Sequence, residues 1–216
     1  MKKWLVVVLA AAFFAGCDTD PPPNGIIIID EPPPFTGLTS IAEVIEYLAD
    51  PEQDGSDPDN PVQLAVKINM NEWEQLRDAI VDADKFVALD LTRCYNIPQV
   101  FNFYANDQIV SVVLPSEATY IQHSMFYGSK NLRQVTLPAS LTKLGAAAFY
   151  DCTDLKLVIF RVPTPPAMIS LLPAIPEGSE KLFYNTSPNL AIKVPAESVA
   201  AYKAAWPMWA DKIGPM

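Results

Sequence analysis

Few residues of this chain carry side chains able to do chemistry, and their spacing decides what that chemistry could be. The single histidine, His123, could act as a base or a metal ligand. No second ligand stands at zinc-like spacing from it, and the chain has neither a Gly-rich phosphate loop nor a nucleophile elbow. The matching place in the sequence pattern described below holds Ala146, so that pattern does not require an imidazole. Asp50, Glu52, Asp54, Gly55 and Asp57 superficially have the layout of a calcium loop, but Pro61 stands where a bidentate glutamate is needed. With Pro51 and Pro58 stiffening it, the stretch reads as an acidic, solvated turn. Val199, Tyr202, Trp206 and Trp209 could stack on a sugar. The helical spacing of Val199, Tyr202 and Trp206 instead makes them the packed face of a terminal helix, which Pro207 should end or kink. The expectation is a non-catalytic chain with no metal and no cofactor.

Cysteine supplies the remaining chemistry. Cys17 ends the segment MKKWLVVVLAAAFFAGC, in which lysines precede an apolar run from Trp4 to Phe14 and the small pair Ala15-Gly16. That is the order of a secretory signal. The run of about eleven residues is shorter than the roughly twenty needed to span a bilayer as a helix. Its end resembles the lipobox of bacterial lipoproteins, with Phe14 where most have Leu, a departure found in looser spirochaete-type boxes. The resemblance implies a signal peptide over 1–16, lipidation of Cys17 and a membrane anchor of several acyl chains, because one chain alone binds only marginally. Export permits a disulfide. Cys94 and Cys152 occupy different slots of the repeat, however, and are expected to be free and buried.

A formal charge of −10 argues against nucleic acid, whose phosphates would meet like charge. Half of the residues are hydrophobic, enough for a packed core, and 21 prolines against 8 glycines suggest stiff connectors. Residues 17–37 contain two proline triplets and several acids, an extended tether reaching roughly 50 Å. The isoleucines at 26–29 inside it have two open readings, an added edge strand or a sticky flaw. Residues 38–85 read as helix, strand, helix. Ser40 and Glu43 have capping-box spacing, and Ile41, Val44, Ile45 and Leu48 form one apolar face. Val62, Leu64, Val66, Ile68 and Met70 alternate with polar or small residues as a strand does. Asn71 can cap the second helix, whose Trp73, Leu76, Ile80 and Val81 face one way.

Residues 86–161 repeat. Phe86-x-x-Leu89-x-Leu91 recurs as Ile109-x-x-Val112-x-Leu114, Leu132-x-x-Val135-x-Leu137 and Leu155-x-x-Val158-x-Phe160, each 23 residues on. Phe103-Tyr104, Phe126-Tyr127 and Phe149-Tyr150 keep the same step, as do Pro115 with Pro138 and Ile121 with Leu144. An L-x-x-L-x-L core at this period predicts a leucine-rich-repeat solenoid. Each unit supplies one short parallel strand and a returning segment that carries the Phe-Tyr pair inward, and neighbours must stack to bury their apolar faces.

These residues resemble the BspA-type leucine-rich repeat family. LPASLTKLGAAAFYDCTDL, from Leu137 to Leu155, follows that repeat closely, with Leu144-Gly145, Ala148-Phe149 and Cys152 in place. The preceding copy departs at Gln122 and Ser129. FVALDLTRC and IKVPAESVAAYKAAWPMWADKI are similar to the terminal units of such lipoproteins, notably spirochaete ones. The resemblance implies an α/β chain: a short leucine-rich-repeat solenoid with parallel strands, a helical N-terminal cap at 38–85, and a Pro-rich insert with a C-terminal strand-helix cap at 162–216. It also implies surface association and adhesion to host matrix proteins or other bacteria.

The recognition surface expected for a protein partner is the outward face of the strands. The x positions place Val87, Ala88, Asp90, Val110, Ser111, Val113, Arg133, Gln134, Thr136, Lys156, Leu157 and Ile159 there. Several are apolar, which calls for a cover: a partner, the 26–29 segment or a second copy of the chain. The reading is a lipid-anchored protein of the cell envelope, surface-exposed on the outer membrane, that binds proteins. A periplasm-facing structural or assembly role is the alternative.

Overall fold

The computed structural model describes residues 37–169 and 182–216. The expected signal peptide, Cys17, the tether and the isoleucine run lie outside the described residues.

The chain enters through α1 (Ile41–Ala49), whose start is fixed by side chains. Ser40 Oγ accepts the Glu43 N–H at 3.3 Å, and Glu43 Oε2 accepts the Thr39 N–H at 2.6 Å, so the expected cap forms with its return arm one residue earlier. Val44 and Leu48 are buried, whereas Ile45 is 54 % exposed, contrary to the expected face. After β1 (Val62–Ala65), α2 (Trp73–Ala83) packs on α1. Asn69, not Asn71, supplies the capping oxygen, to the 3-10 turn that leads into α2. Leu76, Ala79 and Ile80 are buried, but Val81 lies at the edge of that stripe and is 44 % exposed.

The remaining strands are β2 (Val87–Asp90), β3 (Ile109–Val113), β4 (Tyr120–Ile121), β5 (Gln134–Leu137), β6 (Lys143–Gly145), β7 (Leu157–Phe160), β8 (Ala167–Ile169), β9 (Ala191–Val194) and β10 (Ile213–Pro215). They form two parallel sheets, one in the order β1-β2-β3-β5-β7-β9-β10 and one in the order β4-β6-β8. This α/β arrangement, with a parallel sheet of seven strands and few helices, is consistent with a leucine-rich-repeat solenoid. Val112 pairs with Val135 and Val135 with Val158, so equivalent residues of successive units lie side by side. The short second sheet depends on Gly145, because a Cβ there would stand 2.3 Å from the backbone nitrogen of His123.

Between the sheets lies one apolar core. Phe103, Phe126, Phe149 and Phe183 stack through it at 5.9, 5.6 and 5.4 Å between ring centroids, the first three fully buried and Phe183 6 % exposed. The tyrosines beside them do not turn inward as expected. Consecutive residues leave a turn on opposite sides, so Tyr104, Tyr127, Tyr150 and Tyr184 form a second stack on the surface at 5.3, 4.9 and 4.8 Å. Each tyrosine is followed by a left-handed residue, Ala105, Gly128, Asp151 or Asn185, which turns the chain toward its next strand. At the C-terminal end α3 (Val199–Ala205) presents Tyr202 to Phe160, and the Tyr202 hydroxyl donates to the Val162 carbonyl at 2.9 Å. Trp206 and Trp209 pack edge-on beside it and are buried, in keeping with a packing role for that face.

Candidate functional site

The parallel register builds the outward face of the large sheet as two rows. One runs Gln63–Ala88–Ser111–Gln134–Leu157–Ala191, and the other Ala65–Asp90–Val113–Thr136–Ile159–Lys193. Each row crosses six strands, so residues far apart in sequence become direct neighbours at strand spacing. Asp90 Oδ1 accepts from the Thr92 N–H and hydroxyl at 2.8 and 2.7 Å, which holds its carboxylate at the C-terminal end of β2.

The expected residues divide on this face. Ala88, Asp90, Ser111, Val113, Arg133 and Gln134 are half-buried, and Lys156 is exposed. Val87 is a correction: it is fully buried in the core. The pairing of β2 with β3 shifts between Val87 and Ala88, so Val87 sits opposite Ile109 and shares its inward place, while Val110 is the unpaired extra residue. Val110, Thr136, Leu157 and Ile159 are 5, 4, 7 and 8 % exposed, although the register sets Thr136, Leu157 and Ile159 in the outward rows. As described they offer little surface to a partner, a second correction.

Part of the cover is visible. The acidic turn is pinned at one point by the Phe86 N–H donating to the Gly55 carbonyl at 2.7 Å. At another, Arg133 Nη1 donates to the Pro58 carbonyl at 3.0 Å and pairs with Asp59. The two ties hold the turn to the chain just before β2 and just before β5, the neighbours of β3 on either side. The turn is therefore a strap tied on through two backbone carbonyls and the Asp59 carboxylate, while Asp50, Asp54 and Asp57 accept from N–H groups within the turn itself.

The cysteines and the histidine are placed differently. Cys94 and Cys152 are free and buried, and each thiol donates to a carbonyl of an earlier unit: Val66 at 3.5 Å and Phe126 at 2.9 Å. Burial pushes the Cys94 thiol up to about 11 and the Cys152 thiol up to about 12. Both are protonated at neutral pH and poor nucleophiles. Ser129 holds the same slot as Cys152 one unit earlier and makes the same bond, to the Phe103 carbonyl at 3.0 Å. His123 is half-buried beside Ser124, and its Nε2 has no partner among the described residues. Sequence reasoning missed Phe183-Tyr184 as a fourth aromatic pair. The dipeptide itself was the available signal, but it follows Phe149-Tyr150 by 34 residues instead of 23.

Among the described residues no helix is long and apolar enough to cross a membrane. No curated protein matches the chain. Residues 96–164 match the family described as BspA type leucine rich repeat region (6 copies), and it is to that family that the repeated part of the chain is similar.

Proposed function

We propose that this protein is a non-catalytic, lipid-anchored leucine-rich repeat protein that binds protein partners at the cell surface, in adhesion. Leucine-rich repeats suggest a protein-binding role, and the family match supports that coarse statement. In this reading the 23-residue units form a short solenoid closed by α1 and α2 at one end and α3 at the other. Cys17 carries the lipid, and 17–37 is the tether. One observation carries the proposal, the pair of six-strand rows on the outward face, which sets Asp90, Ser111, Val113 and Gln134 side by side at strand spacing. Mixed polar and apolar groups at fixed spacing suit a protein surface better than a small molecule.

Protease shaving of intact cells tests the location. Loss of the 38–216 part while a periplasmic control survives supports surface exposure and justifies a screen against matrix proteins. Survival of that part refutes it and favours the periplasm-facing structural role, to be pursued by crosslinking.

A further inference from the structure

The tyrosine row on the surface sets oxidisable rings against one another, and its last pair is the most firmly built. Tyr150 and Tyr184 stand 4.8 Å apart between centroids, the shortest separation in the row. They are tilted by 22°, whereas the two earlier pairs lie at 6° and 0°. Three hydrogen bonds hold the turns that carry them. The Phe149 N–H donates to the Leu182 carbonyl at 3.1 Å, the Asp151 N–H to the Tyr184 carbonyl at 3.0 Å, and Asn185 Nδ2 to Asp151 Oδ1 at 2.8 Å. The first two recur one unit earlier, from Phe126 to Ala148 and from Gly128 to Tyr150. The third has no counterpart at Ala105 or Gly128, which lack a polar side chain. Tyr184 stacks on no further ring of that row among the described residues and is 54 % exposed, so its side chain has room to tip toward its neighbour.

Other oxidisable groups are less available. Cys94 and Cys152 are buried thiols, and Tyr202, Trp206 and Trp209 are buried as well. Trp73 carries the Arg77 guanidinium 5.1 Å over its ring, a positive charge that opposes removal of an electron. Tyr95 is 46 % exposed but stacks on no ring among the described residues.

We propose that Tyr150 and Tyr184 form a site of oxidative crosslinking, at which a one-electron oxidant joins them into a dityrosine that ties the last two aromatic turns together. Each phenol gives one electron to one equivalent of oxidant and its hydroxyl proton to water. The phenoxyl radical that remains shares its unpaired electron with the ring carbons beside the oxygen. The two radicals pair into one carbon–carbon bond between those ortho carbons. Each ring then shifts the hydrogen of its bonded carbon to the oxygen and becomes a phenol again. Two electrons and two protons leave in all, to two equivalents of oxidant and to water.

Proximity makes the reaction intramolecular. Rings held at this distance meet at an effective concentration of at least about 1 mM, far above that of rings on separate molecules in a dilute sample. A bond between residues 34 apart also removes freedom from the unfolded chain, as a disulfide does, so oxidation here fastens one end of the protein.

The test photolyses the full-length chain, dilute and in detergent, with tris(bipyridine)ruthenium(II) and persulfate, which generate a ruthenium(III) one-electron oxidant. Dityrosine fluorescence and peptide mapping by mass spectrometry read the product. The expected result is dityrosine in the monomer band of a denaturing gel, mapped to Tyr150–Tyr184 and unchanged in yield on further dilution. Tyr184→Phe, which keeps the ring and removes the phenol, abolishes it, and Tyr95→Phe leaves it unchanged. Absence of dityrosine overturns the proposal, as do dityrosine confined to covalent dimers, a monomer product mapped to another pair, and a yield that survives Tyr184→Phe. None of these outcomes bears on the protein-binding face, so the two readings fail separately.

Discussion

The two ring stacks run side by side, and replacing one ring in each separates burial from stacking as sources of stability. Phe126 is fully buried between Phe103 and Phe149, at 5.9 and 5.6 Å with interplanar angles of 15° and 5°. Tyr127, one residue on, is stacked more closely, at 5.3 and 4.9 Å with angles of 6° and 0°, but stands at the surface. Phe126→Ala removes an aromatic side chain from a core that cannot collapse around the gap, which costs about 3–5 kcal/mol. Tyr127→Ala removes two stacking contacts with little burial behind them, and exposed aromatic pairs contribute about 0.5–1.5 kcal/mol each. At a urea dependence of about 2 kcal/mol/M, the first variant shifts the midpoint by about 1.5–2.5 M and the second, which loses two such contacts, by about 0.5–1.5 M. Urea titration followed by far-ultraviolet circular dichroism reads both, provided the slope is unchanged. Equal shifts for the two variants would refute the reasoning, because the ring stack and not its burial would then hold the units together.

Stability should fall as pH rises through the alkaline range. The buried Cys94 and Cys152 thiols are raised from 9.0 to about 11 and about 12, so their contribution is complete below pH 9 and is lost as the pH climbs toward those values. Each thiol steepens the decline of unfolding free energy by about 1.4 kcal/mol per pH unit in that window. Cys152→Ser should keep the carbonyl bond that Ser129 makes in the same slot while flattening the decline, and an unchanged slope in urea midpoints would count against this cause. Gly145→Ala drives a Cβ into the His123 backbone and should cost about 3 kcal/mol by thermal melting, against about 1 for Gly128→Ala, where only the left-handed conformation is strained. Cys17→Ser should release the mature protein from the membrane fraction; a variant that still sediments with membranes would sink the lipid anchor.

The strands of the large sheet were legible wherever the apolar spacing was regular. Val112, Val135 and Val158 are paired neighbours because residues that recur at a fixed interval must stack to be buried at all. The small sheet was not, since two- and three-residue strands such as β4 and β6 are too short to show alternation. β10 was missed for the same reason. Helix periodicity named Val44, Leu48, Leu76 and Ile80 correctly but overreached to Ile45 and Val81, which lie at the margins of their stripes, where a neighbouring element decides burial. On the outward face the pattern identified which residues share a side, but not the bulge that turned Val87 inward or the strap that Arg133 holds in place.

The fourth aromatic pair arrives after 34 residues where its predecessors arrive after 23, and still Phe183 lands on Phe149 at 5.4 Å and Tyr184 on Tyr150 at 4.8 Å. The spacing of the rings is therefore insensitive to the contour length of chain that joins them. Lengthening a connection between stacked units is thermodynamically cheap, about 0.6 kcal/mol for each doubling, so it is the meeting of the rings, and not a fixed repeat length, that sets one unit against the next.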